Sequence, residues 1–472
     1  MADLKRVIVA LYNEGRKGMT MYVHTTAPLF AWNALEDSPS LKTLDCFLSS
    51  IPDDRLLESL CMARGHGRND YPPHVLWGVL LLTVALRHQG IESCLCELRR
   101  NRELRELIGI ESEDKVPRKW NLSRFLVTLG SEPHLTLLRE VFDRMASRIG
   151  EVVEDLGAHL AGDATALNAR RTFSASEKKQ EEALGLTQAS GGRKEYTDDE
   201  GRITHVLEWF GYKLHLLVDV KHEVAVAYEI TDTKAGDGAT LPSVLDQAQR
   251  NLPKDRIKTL AYDKAADSDS VHKLLHHRKI KPVIENRSLW REEFERPLPG
   301  CEGQVSNIVH DECGNVFCYD TASEPCVRHP MAYIGHESSR GTLKYRCPAR
   351  HTGWQCPSDP VCNKGLAYGK TVRIKSESDL RRFPPIPRAT KQFERLYKQR
   401  TAVERVNGRL KLFWGADDGN ITGARRFHAF VGAVMVTHIA FASLLAATPR
   451  RGPIGGLHLG PIQKALQEAK LL

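Results

Sequence analysis

Three acidic residues far apart in the chain, Asp163, Asp263 and Glu404, have neighbours suited to metal-assisted work on a phosphodiester. Glu404 lies in YKQRTAVERVNGRLK, where Tyr397, Arg400, Glu404 and Lys411 follow the spacing Tyr-x2-Arg-x3-Glu-x6-Lys. At about 100° per helical residue, Arg400, Glu404 and Lys411 all fall within roughly 60° of Tyr397. Leu396, Val403, Val406 and Leu410 gather on a separate stripe suited to face a core. The spacing therefore predicts one helix face with a carboxylate between two cations and a phenol. A solvated helix held by i,i+4 pairs has the same pattern, so Glu404 alone is ambiguous. Its companions add weight. Asp163, in HLAGDATALNAR, is placed to close the first strand, and Asp263, in IKTLAYDKAADSDS, stands where an apolar run gives way to a polar turn. Two strand-borne acids and one helix-borne acid can converge on a pair of divalent ions.

With those residues in place, the chain resembles a bacterial insertion-sequence transposase with an RNase H-like DDE catalytic domain. More narrowly, it is similar to the group marked by the Tyr-x2-Arg-x3-Glu-x6-Lys signature. GDATAL around Asp163, GYKLHLLVD at 211–219 and DKAADS after Asp263 agree, and the resemblance runs from about residue 60 to 447. It implies cleavage at the ends of a mobile element by hydrolysis, then strand transfer by attack of the 3′-hydroxyl on target DNA. Asp163, Asp263 and Glu404 would then be the catalytic acids and would hold two Mg²⁺, or Mn²⁺, through hard oxygen ligands. Arg400 and Lys411 would grip phosphates, and Tyr397 would hydrogen-bond one. Lys213 and His215, which alternate onto one face of the second strand, are further candidates for DNA contact. The implied partners are terminal inverted repeats, target DNA and at least one further copy of the chain, as a homodimer or larger assembly on DNA. Two other readings stay open: an RNase H-like DNA endonuclease without joining activity, and an inactive DNA-binding relic. A covalent role for Tyr397 is the weaker option beside a three-carboxylate site.

These residues need a scaffold, and the pattern predicts an α/β one. HVLEWFGYKLHLLVDV and EVAVAYEITDT read as paired strands with a turn near Lys221 and His222. LPSVLDQAQRNL reads as a helix, IKTLAYD as a strand, VHKLLHHRK as a helix and IKPVIEN as another strand, an order compatible with the RNase H topology. Asp237 reads as a helix cap, and Trp290 as a packing residue in preference to a base-stacking one. Asp163 and Asp263 are 100 residues apart, but Asp263 and Glu404 are 141 apart, too far for a single connection. The expected organisation is a helical, DNA-end-binding region over 1–150, the first part of the catalytic core over 151–287 and a Cys-rich insertion over 288–385. The helical second part of the core follows over 386–448, then a tail over 449–472. Within 1–150, residues 1–60 are a poorly patterned leader. VLWGVLLLTVALRHQG, ELRRNRELRELIGI and NLSRFLVTLG then read as three helices, the second bearing Arg99, Arg100, Arg102 and Arg105.

Charge and cysteine distribution refine this. The chain of 472 residues has a net charge of +8, and 370–411 alone holds thirteen Lys or Arg against four acids, a local +9. A cationic stretch leading into a carboxylate site suits a polyanion. Arg381–Arg388, with three prolines, reads as a stiff basic connector. Seven of the eleven cysteines fall between 301 and 362. In a reducing compartment such a cluster suggests a structural metal, with Cys347, His351, Cys356 and Cys362 as a zinc set, against reduced thiols in a small β-rich insert. Cys313 and Cys318 form a further pair. The apolar runs Val75–Leu86 and Val431–Ala447 read as buried helices, so no membrane is expected, and the expected location is the bacterial cytoplasm, at the nucleoid.

Overall fold

The computed structural model describes residues 39–65, 70–171, 174–198, 202–287, 289–290, 295–303, 306–417, 421–449, 452–455 and 459–471. Residues 1–38 of the expected leader lie outside the described residues. The rest of that leader is helical: α1 spans Pro39–Ser50 and α2 Asp54–Arg64. Then come α3 (Pro73–Ala85), α4 (Ile91–Arg100), α5 (Arg102–Leu107), α6 (Lys119–Leu129) and α7 (His134–Val152). The expectation of one helix through ELRRNRELRELIGI is corrected. The helix breaks at Asn101, whose side chain accepts from the Leu104 amide at 3.2 Å and so starts α5 afresh.

A six-stranded mixed sheet forms the centre. Its path is β2 (Ser190–Thr197), β3 (Ile203–Asp219), β1 (His159–Asn168), β5 (Thr259–Tyr262) and β6 (Lys281–Ile284), and β4 (Val224–Thr231) also pairs with β3. β3 runs antiparallel to β1, β2 and β4, while β5 runs parallel to β1 and β6 parallel to β5. The turn from β3 to β4 is locked by buried Asp219, which accepts from the backbone N–H groups of Gly157, Lys221 and His222 at 2.8, 3.0 and 2.6 Å. Between strands stand α8 (Ala175–Ala183), α9 (Asp237–Asn251) and α10 (Asp269–His277).

Residues 296–375 carry two small antiparallel sheets. One has the order β10-β9-β8-β7, from β7 (Arg296–Pro297), β8 (Ile308–His310), β9 (Val316–Asp320) and β10 (Val327–Pro330). The other joins β11 (Ala332–Glu337), β12 (Thr342–Arg346) and β13 (Thr371–Lys375), with the short helices α11 (Pro348–Thr352) and α12 (Asp359–Cys362) between the last two strands. Leu298, Ile308, Val316, Met331, Leu343, Tyr345, Ile374 and Phe383 form a core of their own there.

The chain returns as α13 (Lys391–Lys398), α14 (Thr401–Leu412), α15 (Ala424–Ala446) and α16 (Leu459–Glu468). By length and composition α15 could cross a membrane, but 83% of its apolar window is buried inside the protein. It packs against α1, α3, α6, α7 and β4, which explains a helix apolar nearly all round.

Candidate active site

Asp163 sits in the middle of β1 and does not close it, which corrects the strand-end expectation. Asp263 follows β5 directly. The parallel register pairs Ala161 with Ala261, and each acid stands two residues further on, so β1 and β5 deliver the two carboxylates side by side. Gly162 makes the approach feasible: a Cβ there would lie 1.9 Å from the Tyr262 ring. Asp263 also accepts from the Lys264 amide at 2.5 Å, fixing its side chain at the start of a short 3-10 turn.

Glu404 stands on α14, which packs on β1 and β3. Arg400 pairs with it at 2.7 Å and also feels the fields of Asp163 and Asp263, so this guanidinium joins the three acids electrostatically. One turn beyond Glu404, Asn407 donates to Asp163 at 3.2 Å, and its own Oδ1 is buried with no hydrogen-bond partner. The four signature residues do not share one continuous helix, a correction to the periodicity argument. Tyr397 lies in the last turn of α13, the chain turns at Gln399 and Arg400, and Glu404 and Lys411 belong to α14.

A fourth acid, missed in the sequence, joins the group. Asp237 is the first residue of α9, where Gly236 is the cap and no side chain makes a capping bond, so the cap reading is corrected. Burial raises the Asp237 carboxyl, Lys213 lowers it, and Asp263 raises it further. Burial likewise pushes the Asp163 carboxyl up to about 6, against the nearby Arg400 charge, with Asp237 adding a like-charge push. Three like charges held this close are costly unless a cation enters. Their carboxylate oxygens are donors of the hard type that a divalent cation takes. Among the described residues, no group of three or more His, Cys, Asp or Glu side chains is arranged to hold a metal ion.

The other candidates are partly engaged within the protein. His215 is 1% exposed and bonded to the Thr231 hydroxyl at 2.9 Å, with Nδ1 3.6 Å from Asp237, so it is corrected from an exposed DNA contact to a buried neighbour of the acid group. Lys213 donates to the Ala235 carbonyl at 2.8 Å. Lys411 pairs with Asp417 at 3.3 Å. Tyr397 interacts with Glu285, and burial with that neighbouring acid pushes its phenol up to about 12. A phenol kept protonated is a donor and a poor nucleophile, which weighs against a covalent role. Trp290 lies between Arg296 and Arg382, at 4.2 and 5.0 Å from its ring centre.

The basic stretch spends much of its charge internally. Arg405 and Arg409 both bind buried Glu223, and Arg381 and Arg388 bind Asp267 at 2.7 and 3.4 Å. The expectation of a basic connector is corrected accordingly: those two arginines are buried ties. Of the four zinc candidates, Cys347 precedes α11, His351 is exposed on it, Cys356 lies in the loop beyond, and Cys362 ends α12.

Residues 156–439 match the family described as Transposase DDE domain, and residues 36–127 match one described simply as a transposase domain. The first match covers more than half of the chain, which belongs to the DDE transposase family. It is accordingly a DNA transposase of the insertion-sequence kind, and the family implies a metal-dependent enzyme that cuts and joins DNA. No curated protein matches the chain significantly. Among solved structures, one described as a cryo-EM structure of piggyBac transposase synaptic complex with hairpin DNA is similar at 12% identity. It covers 90% of this chain and 79% of its own, with a TM-score of 0.36, too slight a likeness to argue from.

Proposed function

We propose that the chain cleaves the ends of its element by hydrolysis and joins them to target DNA through an RNase H-like core, with Asp163, Asp263 and Glu404 as the catalytic acids. One observation supports this reading most: the parallel register of β1 and β5 brings Asp163 and Asp263 to matching positions, and Arg400, paired with Glu404, interacts with both. The antiparallel strand β3 on one side of β1, and β5 then β6 in parallel on the other, support the RNase H-like assignment. The three acids would hold two Mg²⁺, or Mn²⁺, which supply an activated oxygen nucleophile and stabilise the leaving oxygen.

The chain's own residues position the reaction. Arg400 grips a non-bridging phosphate oxygen near the acids, Tyr397 donates to another, and Lys411 and Lys213 hold flanking phosphates. Asn407 keeps the Asp163 carboxylate oriented. In cleavage, a water oxygen bonds to phosphorus as the P–O3′ bond breaks, releasing a 3′-hydroxyl. In joining, that hydroxyl attacks a target phosphorus and displaces the target's own 3′-oxygen. No oxidation or covalent protein intermediate is involved.

Region by region, 1–150 recognises element ends, 151–287 and 386–448 form the core, 288–385 is the Cys-rich insertion and 449–472 a tail. The transposase-domain match over 36–127 supports the first of these. A dimer or larger assembly on DNA follows from the need to hold two ends, in a protein acting at the bacterial nucleoid. Purified protein, Mg²⁺ and DNA bearing the inverted repeats that flank the gene provide the test. Cleavage plus joining is the expected result. Cleavage alone reassigns it as an endonuclease, and binding alone as a relic.

A further inference from the structure

We infer that Cys318, Cys347, Cys356 and Cys362 form a structural zinc site that ties the two small sheets of residues 296–375 together. Hydrogen bonds bring all four cysteine-bearing segments to one corner. Cys318 lies on β9 opposite Ile308, and Asn307, the residue before Ile308, donates to the Cys362 sulfur at 3.5 Å and to the Tyr319 carbonyl at 2.9 Å. Asn363 donates to the Cys347 sulfur at 3.4 Å and accepts from the Lys370 amide at 2.6 Å, while the Cys347 amide donates to the Lys370 carbonyl at 2.8 Å. Buried Ser358 donates to Asp320 at 2.5 Å, fastening the Cys356 loop two residues beyond Cys318.

The thiols also sense one another. Cys318 lies near enough to Cys347, Cys356 and Cys362 to interact electrostatically with each. All four are free of disulfides. Two side-chain amides aimed at sulfur acceptors are the outer support that thiolate ligands of a metal usually have. The surrounding core has only eight buried apolar residues, the situation in which small folds recruit a metal.

The geometry replaces His351, offered by sequence spacing, with Cys318. The His351 side chain is exposed on α11, whereas Cys318 lies on β9 opposite Ile308, next to the Asn307 that binds the Cys362 sulfur. Cys313 interacts instead with Asp311, Glu312, Arg388 and Asp267, so it is not a fifth ligand. Among the described residues no three such side chains are arranged to hold a metal ion, so zinc binding would have to draw the four sulfurs together as the thiols lose their protons.

The test is the zinc content of the full-length chain purified without chelator. About one zinc per chain is expected. Cys318→Ser and Cys362→Ser should lose it, and His351→Ala should keep it. A folded, zinc-free wild type overturns the inference, as does His351→Ala losing zinc while Cys318→Ser retains it. If the serine variants do not fold, cobalt-loaded wild type decides: a sulfur-to-cobalt charge-transfer band of four-thiolate strength supports the set, and a weaker three-thiolate band overturns it. None of these readouts depends on DNA cleavage, so the inference stands or falls apart from the transposition reading.

Discussion

Asp263 and Asp267 are four residues apart and live in opposite surroundings. Asp267 is fully buried and saturated: His272 lies at 2.9 Å, the Arg287 amide at 2.8 Å, Arg381 at 2.7 Å and Arg388 at 3.4 Å. Although burial alone would raise its carboxyl, those donors and charges hold it down at about 2. Asp263, with Asp163 and Asp237, belongs to a group in which burial and like charge raise two of the three carboxyls. The difference separates a carboxylate whose acceptors the fold has filled from the less fully engaged carboxylates of the proposed site. Asp267 holds the connector at 381–388 against the central sheet. Asp163 and Asp263 are less fully engaged, with Asn407 donating to the first and the Lys264 amide to the second.

The largest expected effect tests the second kind. Asp163→Asn and Asp263→Asn should each lower DNA cleavage on the order of 10³-fold or more, because several kcal/mol of metal stabilisation goes with the ligand. Asp163→Asn should also raise the metal-free unfolding temperature, since it removes a buried charge beside another acid. If cleavage survives either substitution, the site assignment is wrong. If the unfolding temperature falls, the Asp163 carboxylate is a structural group like Asp267.

Asp267→Ala should do the reverse. Deleting one partner of a buried charge network costs about 3–5 kcal/mol, read by chemical denaturation, while cleavage per folded molecule changes little. A pH series sharpens the point. Because the folded carboxyl titrates near 2 instead of its ordinary 3.8, its contribution is present above about pH 4 and is lost as pH falls towards 2. Stability of the wild type should drop across that window more steeply than stability of Asp267→Asn.

Local patterning exposed the sheet but not these distinctions. β3, β4 and β5 were legible because their apolar residues alternate or run continuously, and Asp263 was legible from the polar turn behind β5. α7 was not read, and nor was β2, whose SGGRKEYT has no alternation to find. The bend at Gln399 and Arg400 lies inside an otherwise continuous amphipathic pattern. Asp237 looked like a cap because the charges that act on it, Lys213 on β3 and Asp263 after β5, are distant in sequence. Arg405 and Arg409 looked like DNA-facing charge because Glu223, which they bind, lies 182 and 186 residues away. Periodicity reports which face a residue occupies, not which distant group waits there.

Gly162→Ala probes the geometry that separates the two kinds of acid. A methyl group 1.9 Å from the Tyr262 ring must push β1 and β5 apart, and such overpacking costs about 1–3 kcal/mol. Cleavage should fall by more than the stability loss explains, because Asp163 is the next residue. A loss of stability with unchanged cleavage per folded molecule would mean that the spacing of the two acids is not critical.

The smallest effect tests whether a paired cation can still serve DNA. Lys411 and Asp417 are about three-quarters buried and 3.3 Å apart, and a partly solvated pair of this kind contributes up to about 1 kcal/mol. Lys411→Ala should therefore leave stability nearly unchanged. If Lys411 exchanges Asp417 for a phosphate when DNA arrives, the same substitution should raise KM several-fold with little change in kcat, and the salt dependence of binding should fall by about one counterion. Asp417→Asn then acts in the opposite sense, since it removes the competitor and tightens binding. If both variants bind DNA like the wild type, Lys411 belongs with Arg405 and Arg409, as a cation already committed to the fold.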